Sequence, residues 1–148
     1  LLELVLVIRL SREETFSMGA KLSIAAVIMV LLGFSGEGLV DIDQLNQRWL
    51  YWSLAMLPFL YILYNLIIKL KNPISKQPKN VRNLVQNSRW LLIASWTIYP
   101  FVYLLPIYDP NASYVNLQIG YTAADVLSIA SFGIMIYIIA QRKSDIGA

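Results

Sequence analysis

The sequence contains no cysteine and no histidine. Without cysteine there is no disulfide and no thiolate metal site. Without histidine the commonest metal ligand and the usual neutral-pH proton carrier are also missing. Catalytic dyads and triads built on either residue are excluded, so an enzyme is the least expected reading and no metal site is expected. Charge is sparse as well. Only 14% of the 148 residues are charged, against about a quarter in a soluble domain. Hydrophobic residues make up 57%, and they are gathered into long blocks.

Those blocks lie at 1–10, 18–36, 49–70, 90–108 and 117–141. A helix needs about 20 residues to cross the hydrocarbon core of a bilayer, and the last four blocks have that length. The expectation is an all-α, multi-pass transmembrane helix bundle, one transmembrane domain over 1–148. The opening run LLELVLVIRL is apolar from its first residue. No basic region precedes it and no small-residue cleavage site follows, so it does not read as a signal peptide. It reads as the second half of a transmembrane helix, in a chain that is a fragment of a longer protein. The connections are polar: 37–48 holds Gly, Asp and Asn, 71–88 carries Pro73 and Pro78, and Asp109, Pro110 and Asn111 make a turn signal. The Asn-Ala-Ser beginning at Asn111 fits a glycosylation sequon, a pattern common by chance.

Charge sets the orientation. Lys69, Lys71, Lys76, Lys79, Arg82 and Arg89 surround the connection between the third and fourth blocks, with no acid among them. Arg9, Arg12, Lys21, Arg142 and Lys143 fall on the same side if the helices alternate. The other side carries Glu37, Asp41, Asp43 and Asp109 against Arg48 alone. The positive-inside rule places the basic side, and with it the C-terminus, in the cytoplasm. Trp49, Tyr51, Trp90, Tyr108 and Tyr114 lie near block ends and suit interfacial belts. Orientation is the plain reading of the basic connection; nothing in it suggests nucleic acid.

Two acids stand inside apolar blocks, Glu3 and Asp125. A carboxylate in the bilayer costs at least a few kcal/mol, so such residues usually face the bundle interior and serve ion or proton movement. An apolar setting favours the neutral carboxyl, which would let Glu3 hold a proton. The alternatives are an acid near a chain end for Glu3, and a structural hydrogen-bond partner of Tyr or Trp for Asp125. In the fourth block Trp96, Tyr99 and Tyr103 share one helical face, beside a kink permitted by Pro100. Trp52 and Phe59 make a second aromatic face in the third block. Such faces either wall a pocket for a flat apolar ligand or pack against neighbouring helices.

The segments WTIYP at 96–100, ADVLSIASFG at 124–133 and FLYILY at 59–64 resemble the sixth, seventh and fifth helices of the microbial (type I) rhodopsins. MVLLGFSGE at 29–37 is similar to the fourth helix of the proteorhodopsin and xanthorhodopsin side of that family. The resemblance runs in order over essentially the whole chain. It implies part of a seven-helix bundle around retinal, from the end of the third helix to the seventh. It implies a retinal pocket of Met29, Gly33, Trp52, Phe59, Trp96, Tyr99 and Tyr103. Asp125 would be the counterion of the Schiff base. Glu3 falls where proton-pumping members carry the cytoplasmic donor, whereas sodium pumps and some chloride pumps have Gln. A carotenoid antenna of the xanthorhodopsin type needs Gly where this chain has Trp52.

One departure dominates. The retinal-bearing lysine is expected four residues after Asp125, and that position is Ile129. Without an amine no Schiff base forms, so retinal is expected to be non-covalent or absent. Ile129 could still line a pocket. Three readings follow: a fragment of a light-driven outward proton pump that lost its lysine; a lysine-less sensor or assembly subunit; or a membrane scaffold without ligand. The expected partners are the lipid bilayer and protons, in a multi-pass cell-membrane protein that forms a homo-oligomer.

Overall fold

The structure is a computed structural model that describes all residues except 9, 38, 40–43, 109–113 and 148, and the side chains of all described residues except 114, 146 and 147. Arg9, Asp41, Asp43, the turn and sequon at 109–113 and the Tyr114 side chain therefore lie outside what is described.

The described residues are helical almost throughout. The elements are α1 (Leu2–Ile8), α2 (Arg12–Glu37), α3 (Leu45–Tyr64), α4 (Lys71–Ser75), α5 (Lys79–Tyr103), α6 (Leu105–Tyr108) and α7 (Tyr114–Gly147). A π-helical turn, Asn65–Lys69, joins α3 to α4. Four stretches are long and apolar enough to cross a membrane: Arg12–Glu37, Leu45–Ser75, Lys79–Tyr108 and Val115–Asp145.

The helices outrun the apolar blocks, and local chemistry says why. The Ser11 hydroxyl accepts from the Glu14 N–H (3.3 Å) while the Glu14 carboxylate accepts from the Ser11 N–H (3.4 Å). This capping box starts α2 well before residue 18. Pro78 starts α5, its carbonyl accepting from Val81 and Arg82 (3.0 and 2.9 Å). The stretch at 71–88, expected as a polar connection, is thus largely helical. Its polar residues hide an amphipathic face in which Val81 and Val85 are buried. An apolar block marks hydrocarbon thickness, whereas a helix continues wherever its backbone groups are paired and one face is covered. At the other end of α5, the Pro106 ring conflicts with the carbonyl four residues back. The chain tightens at Leu104, whose N–H bonds Phe101 (3.1 Å), before α6 begins.

Two helix pairs, α2 with α3 and α5 with α7, meet along α3 and α5, and α1 contacts α2, α5 and α7. Hydrogen bonds define the two ends. At one end Gln77 donates to the Ile8 carbonyl (2.8 Å), and Lys143 donates to the Val7 carbonyl and to Gln77 (both 2.5 Å). At the other, Arg48 bonds carbonyls of α2 and α5. A continuous apolar core, including Leu4, Ile8, Leu22, Leu66, Val81 and Ile139, fills the Lys143 end. The Arg48 end is hollow.

Candidate ligand pocket

The hollow end holds a cavity of about 410 Å³, within the usual range of roughly 300–1,000 Å³ for small-molecule sites. Four helices wall it. Met29, Val30, Gly33 and Glu37 come from α2; Trp52, Ala55, Met56 and Phe59 from α3; Trp96, Tyr99, Pro100 and Tyr103 from α5; Tyr121 and Asp125 from α7. Most are one helical turn apart on their own helix, so each helix presents a single stripe to the space. Met29, Gly33, Trp52, Phe59, Trp96, Tyr99, Tyr103 and Asp125, all singled out from sequence, meet here.

The aromatic wall is held by polar bonds. The Trp52 indole donates to the Pro100 carbonyl (3.2 Å), which ties α3 to α5 at the proline. Trp49 packs edge-on against Trp52, with centroids 5.4 Å apart. The Tyr99 hydroxyl donates to the Asp125 carboxylate, and the Tyr99 and Tyr121 rings stack at 6.2 Å. The Tyr103 hydroxyl is buried and has no hydrogen-bond partner among the described residues.

Arg48 lies beside Tyr103 and Glu37 at this end without lining the cavity. It is completely buried (0% exposed). Its guanidinium donates to the carbonyls of Tyr103 (2.7 and 3.0 Å), Gly36 (3.1 Å), Glu37 (2.7 Å) and Leu39 (3.4 Å), and lies 4.3 Å from the Tyr103 ring centroid. Carbonyls at helix C-termini lack helical donors and carry partial negative charge. Five N–H groups on a planar cation satisfy several at once.

Ile129 and Glu3 lie elsewhere. Both line a second cavity, about 610 Å³, together with Ser128, Phe132 and Gly133. Trp96 belongs to both cavities and stands between them. Ser128 accepts from Ser95 across α5 and α7 (3.3 Å). Ile129 is 73% exposed and is not among the residues lining the main cavity. Asp125 and Glu3, expected to face a bundle interior, are exposed in the described chain. α7 packs against α5 and α1, and the exposed Asp125 reaches Tyr99 of α5.

Sequence reasoning did not assign Tyr121, Met56, Ala55, Val30, Glu37 or Arg48 to the site. Several stand one turn from a residue that was assigned: Tyr121 from Asp125, Met56 from Trp52, Glu37 from Gly33. The i±4 rule would have found those three. In the sequence Arg48 stands only as a lone base on the acidic side.

Comparisons with known proteins bear on this geometry. A family model described as bacteriorhodopsin-like protein matches residues 1–142. The chain is 23% identical over 144 residues to green-light absorbing proteorhodopsin of Gamma-proteobacterium EBAC31A08, covering 96% of this chain and 56% of that protein. It is 31% identical over 86 residues to sensory rhodopsin III of Haloarcula marismortui, covering 57% of this chain and 35% of that one. The crystal structure of xanthorhodopsin, described as a light-driven ion pump with dual chromophore, superposes with TM-score 0.85 at 40% identity. That match covers 97% of this chain and 57% of that one. The chain thus spans a little over half the length of the proteorhodopsin and xanthorhodopsin it matches.

Proposed function

The chain belongs to the bacteriorhodopsin-like family, and from that premise we propose a lysine-less rhodopsin, derived from an outward proton pump, that holds retinal without a covalent bond. It is a multi-pass, rhodopsin-like membrane protein related to light-driven ion pumps. The carrying observation is the convergence of Met29, Gly33, Trp52, Phe59, Trp96, Tyr99, Tyr103 and Asp125 on one cavity, while Ile129 lines another.

The residues fit a polyene. Trp52, Phe59 and Trp96 give flat apolar contact, and Gly33 leaves room, because a Cβ there would meet nothing within 4 Å. Retinal, when bound, supplies light absorption and isomerisation. The chain supplies orientation through the aromatic walls and a carboxylate, Asp125, held by Tyr99. Glu3 occupies the cytoplasmic donor position and shares its cavity with Ile129. With Ile129 in place of an amine there is nothing for Glu3 to reprotonate, so the chain as it stands does not pump. That same residue favours the second reading, a sensor or assembly subunit without ion transport. In this reading the protein lies in the cell membrane with the Lys143 end cytoplasmic and assembles as a homo-oligomer.

The test is Ile129→Lys in the complete protein, reconstituted with all-trans retinal. The expected result is a strong visible absorption band that survives denaturation, with acidification of the medium in light. Absence of any band would sink the pocket assignment. A denaturation-resistant band in the unmodified protein would show a covalent link elsewhere and contradict the reading of Ile129.

A further inference from the structure

We propose that the groove between α5 and α7 beside Trp90 holds an anionic phospholipid, its phosphate on the Arg89 guanidinium and one acyl chain along the groove. Neither Arg89 nor the groove takes part in the ligand pocket.

Arg89 is 6% exposed, and its Nε has no hydrogen-bond partner among the described residues. Arg48, equally buried, gives its donors to backbone carbonyls. For Arg89 the described contact is an aromatic face: its guanidinium carbon lies 5.1 Å from the Trp90 ring centroid. Such a face attracts a cation without neutralising it. Lys69, Lys71, Lys76, Lys79 and Arg82 precede Arg89 with no acid among them. A buried charge without a counter-charge is costly, so an anion is what this side chain lacks.

Depth and neighbours say which anion. Trp90 opens the apolar block at 90–108, so Arg89 stands where the hydrocarbon layer meets the phosphate groups. The groove, about 660 Å³, runs between Trp90, Leu91 and Ala94 of α5 and Ile134 and Met135 of α7. Trp90 and Ile134 are exposed, so the groove lies on the outer, lipid-facing surface. Trp90 joins the two halves of the site, since its ring meets the guanidinium and also walls the groove. Asn87 lines the groove toward the basic connection and offers an amide donor to an ester carbonyl. Two turns beyond Met135, Arg142 donates to the carbonyl of Asn80, two turns before Asn87 (3.2 Å). A second base therefore stands on the line of the groove. A phosphate accepts two parallel N–H bonds from a guanidinium. A choline head group brings its own cation, so a net negative head group answers the unpaired charge better.

The test uses the full chain in phosphatidylcholine nanodiscs, with rising fractions of brominated phosphatidylglycerol or brominated phosphatidylcholine. Bromine quenches nearby tryptophan, and Trp90 is the reporter. Half-maximal quenching is expected at an about fivefold lower fraction of the glycerol lipid, the effect of one base on an anionic lipid. In Arg89→Gln this preference should fall to about twofold or less. In Lys71→Gln, which removes an exposed base at the same end, it should persist. In Trp90→Phe it should vanish with its reporter. Ala94→Phe fills the groove with Arg89 intact and should also abolish the preference, which decides the matter even if Arg89→Gln fails to fold. Equal quenching by the two lipids overturns the proposal. So does a preference that survives Arg89→Gln, Trp90→Phe or Ala94→Phe, or one that is lost in Lys71→Gln, because the basic surface as a whole then attracts the lipid. Relief of the quenching by inorganic phosphate overturns it too, since the site would then hold an ion without a chain.

Discussion

At the scale of single residues, Arg48 carries more of this structure than its place in the sequence suggests. A buried guanidinium is tolerated only when its donors are paired, and here it pairs with backbone carbonyls from both helix pairs. Arg48→Ala leaves those carbonyls without these partners. We expect a loss of roughly 3 kcal/mol, as for other broken buried charge networks, read as a lowered melting temperature in detergent. Arg48→Lys should recover only part of it, because a point ammonium cannot span carbonyls on α2 and α5 together. Equal stability of Arg48→Ala and the unmodified protein would mean that these bonds are incidental.

At the scale of helices, two glycines one turn apart on α2 have opposite uses. A Cβ on Gly36 would overlap the Tyr103 hydroxyl and come within 2.7 Å of the Tyr51 Cβ. A side-chain tip could swing away, but a Cβ moves only with its backbone. Gly36→Ala should therefore destabilise by about 1–3 kcal/mol, as overpacking does, despite a helix-propensity gain of up to about 1 kcal/mol. Gly33→Ala keeps the propensity gain and meets no neighbour. It should leave thermal stability equal or slightly higher while weakening polyene binding. A variant pair that behaved alike would refute the assignment of one glycine to packing and the other to cavity space.

At the scale of the whole molecule, the two ends do different work. The Lys143 end is a filled apolar core closed by a polar clasp. Gln77 and Lys143 take the last carbonyls of α1, and Arg142 reaches the Asn80 carbonyl (3.2 Å). The Arg48 end is a cavity between helix pairs. Breaking the clasp should free α1 without disturbing the cavity. In Gln77→Ala, we expect α1 amides to exchange about tenfold faster, the effect of losing one or two hydrogen bonds, with retinol affinity unchanged. Unaltered exchange in α1 would show that apolar packing alone holds it.

The division between sequence and structure follows from range. The all-helical, membrane-spanning fold was legible, because bilayer thickness acts on runs of about 20 consecutive residues, and four stretches of that kind are present among the described residues. The aromatic stripes of α3 and α5 were legible from helical spacing. The pocket as a set of residues, and the meaning of Ile129, came through the resemblance to rhodopsins, since no spacing rule connects Trp52 with Asp125. The capping box at Ser11 was readable but lay outside the apolar block. What only the tertiary structure decided is how the stripes face one another. Arg48 meets Tyr103 across 55 residues of sequence, and Trp96 divides two cavities that put Asp125 on one side and Ile129 on the other. Four residues apart on α7, those two side chains stand about 40° apart around the helix axis, at roughly 100° per residue. The packing of α5 against α7 turns that small angle into two separate compartments.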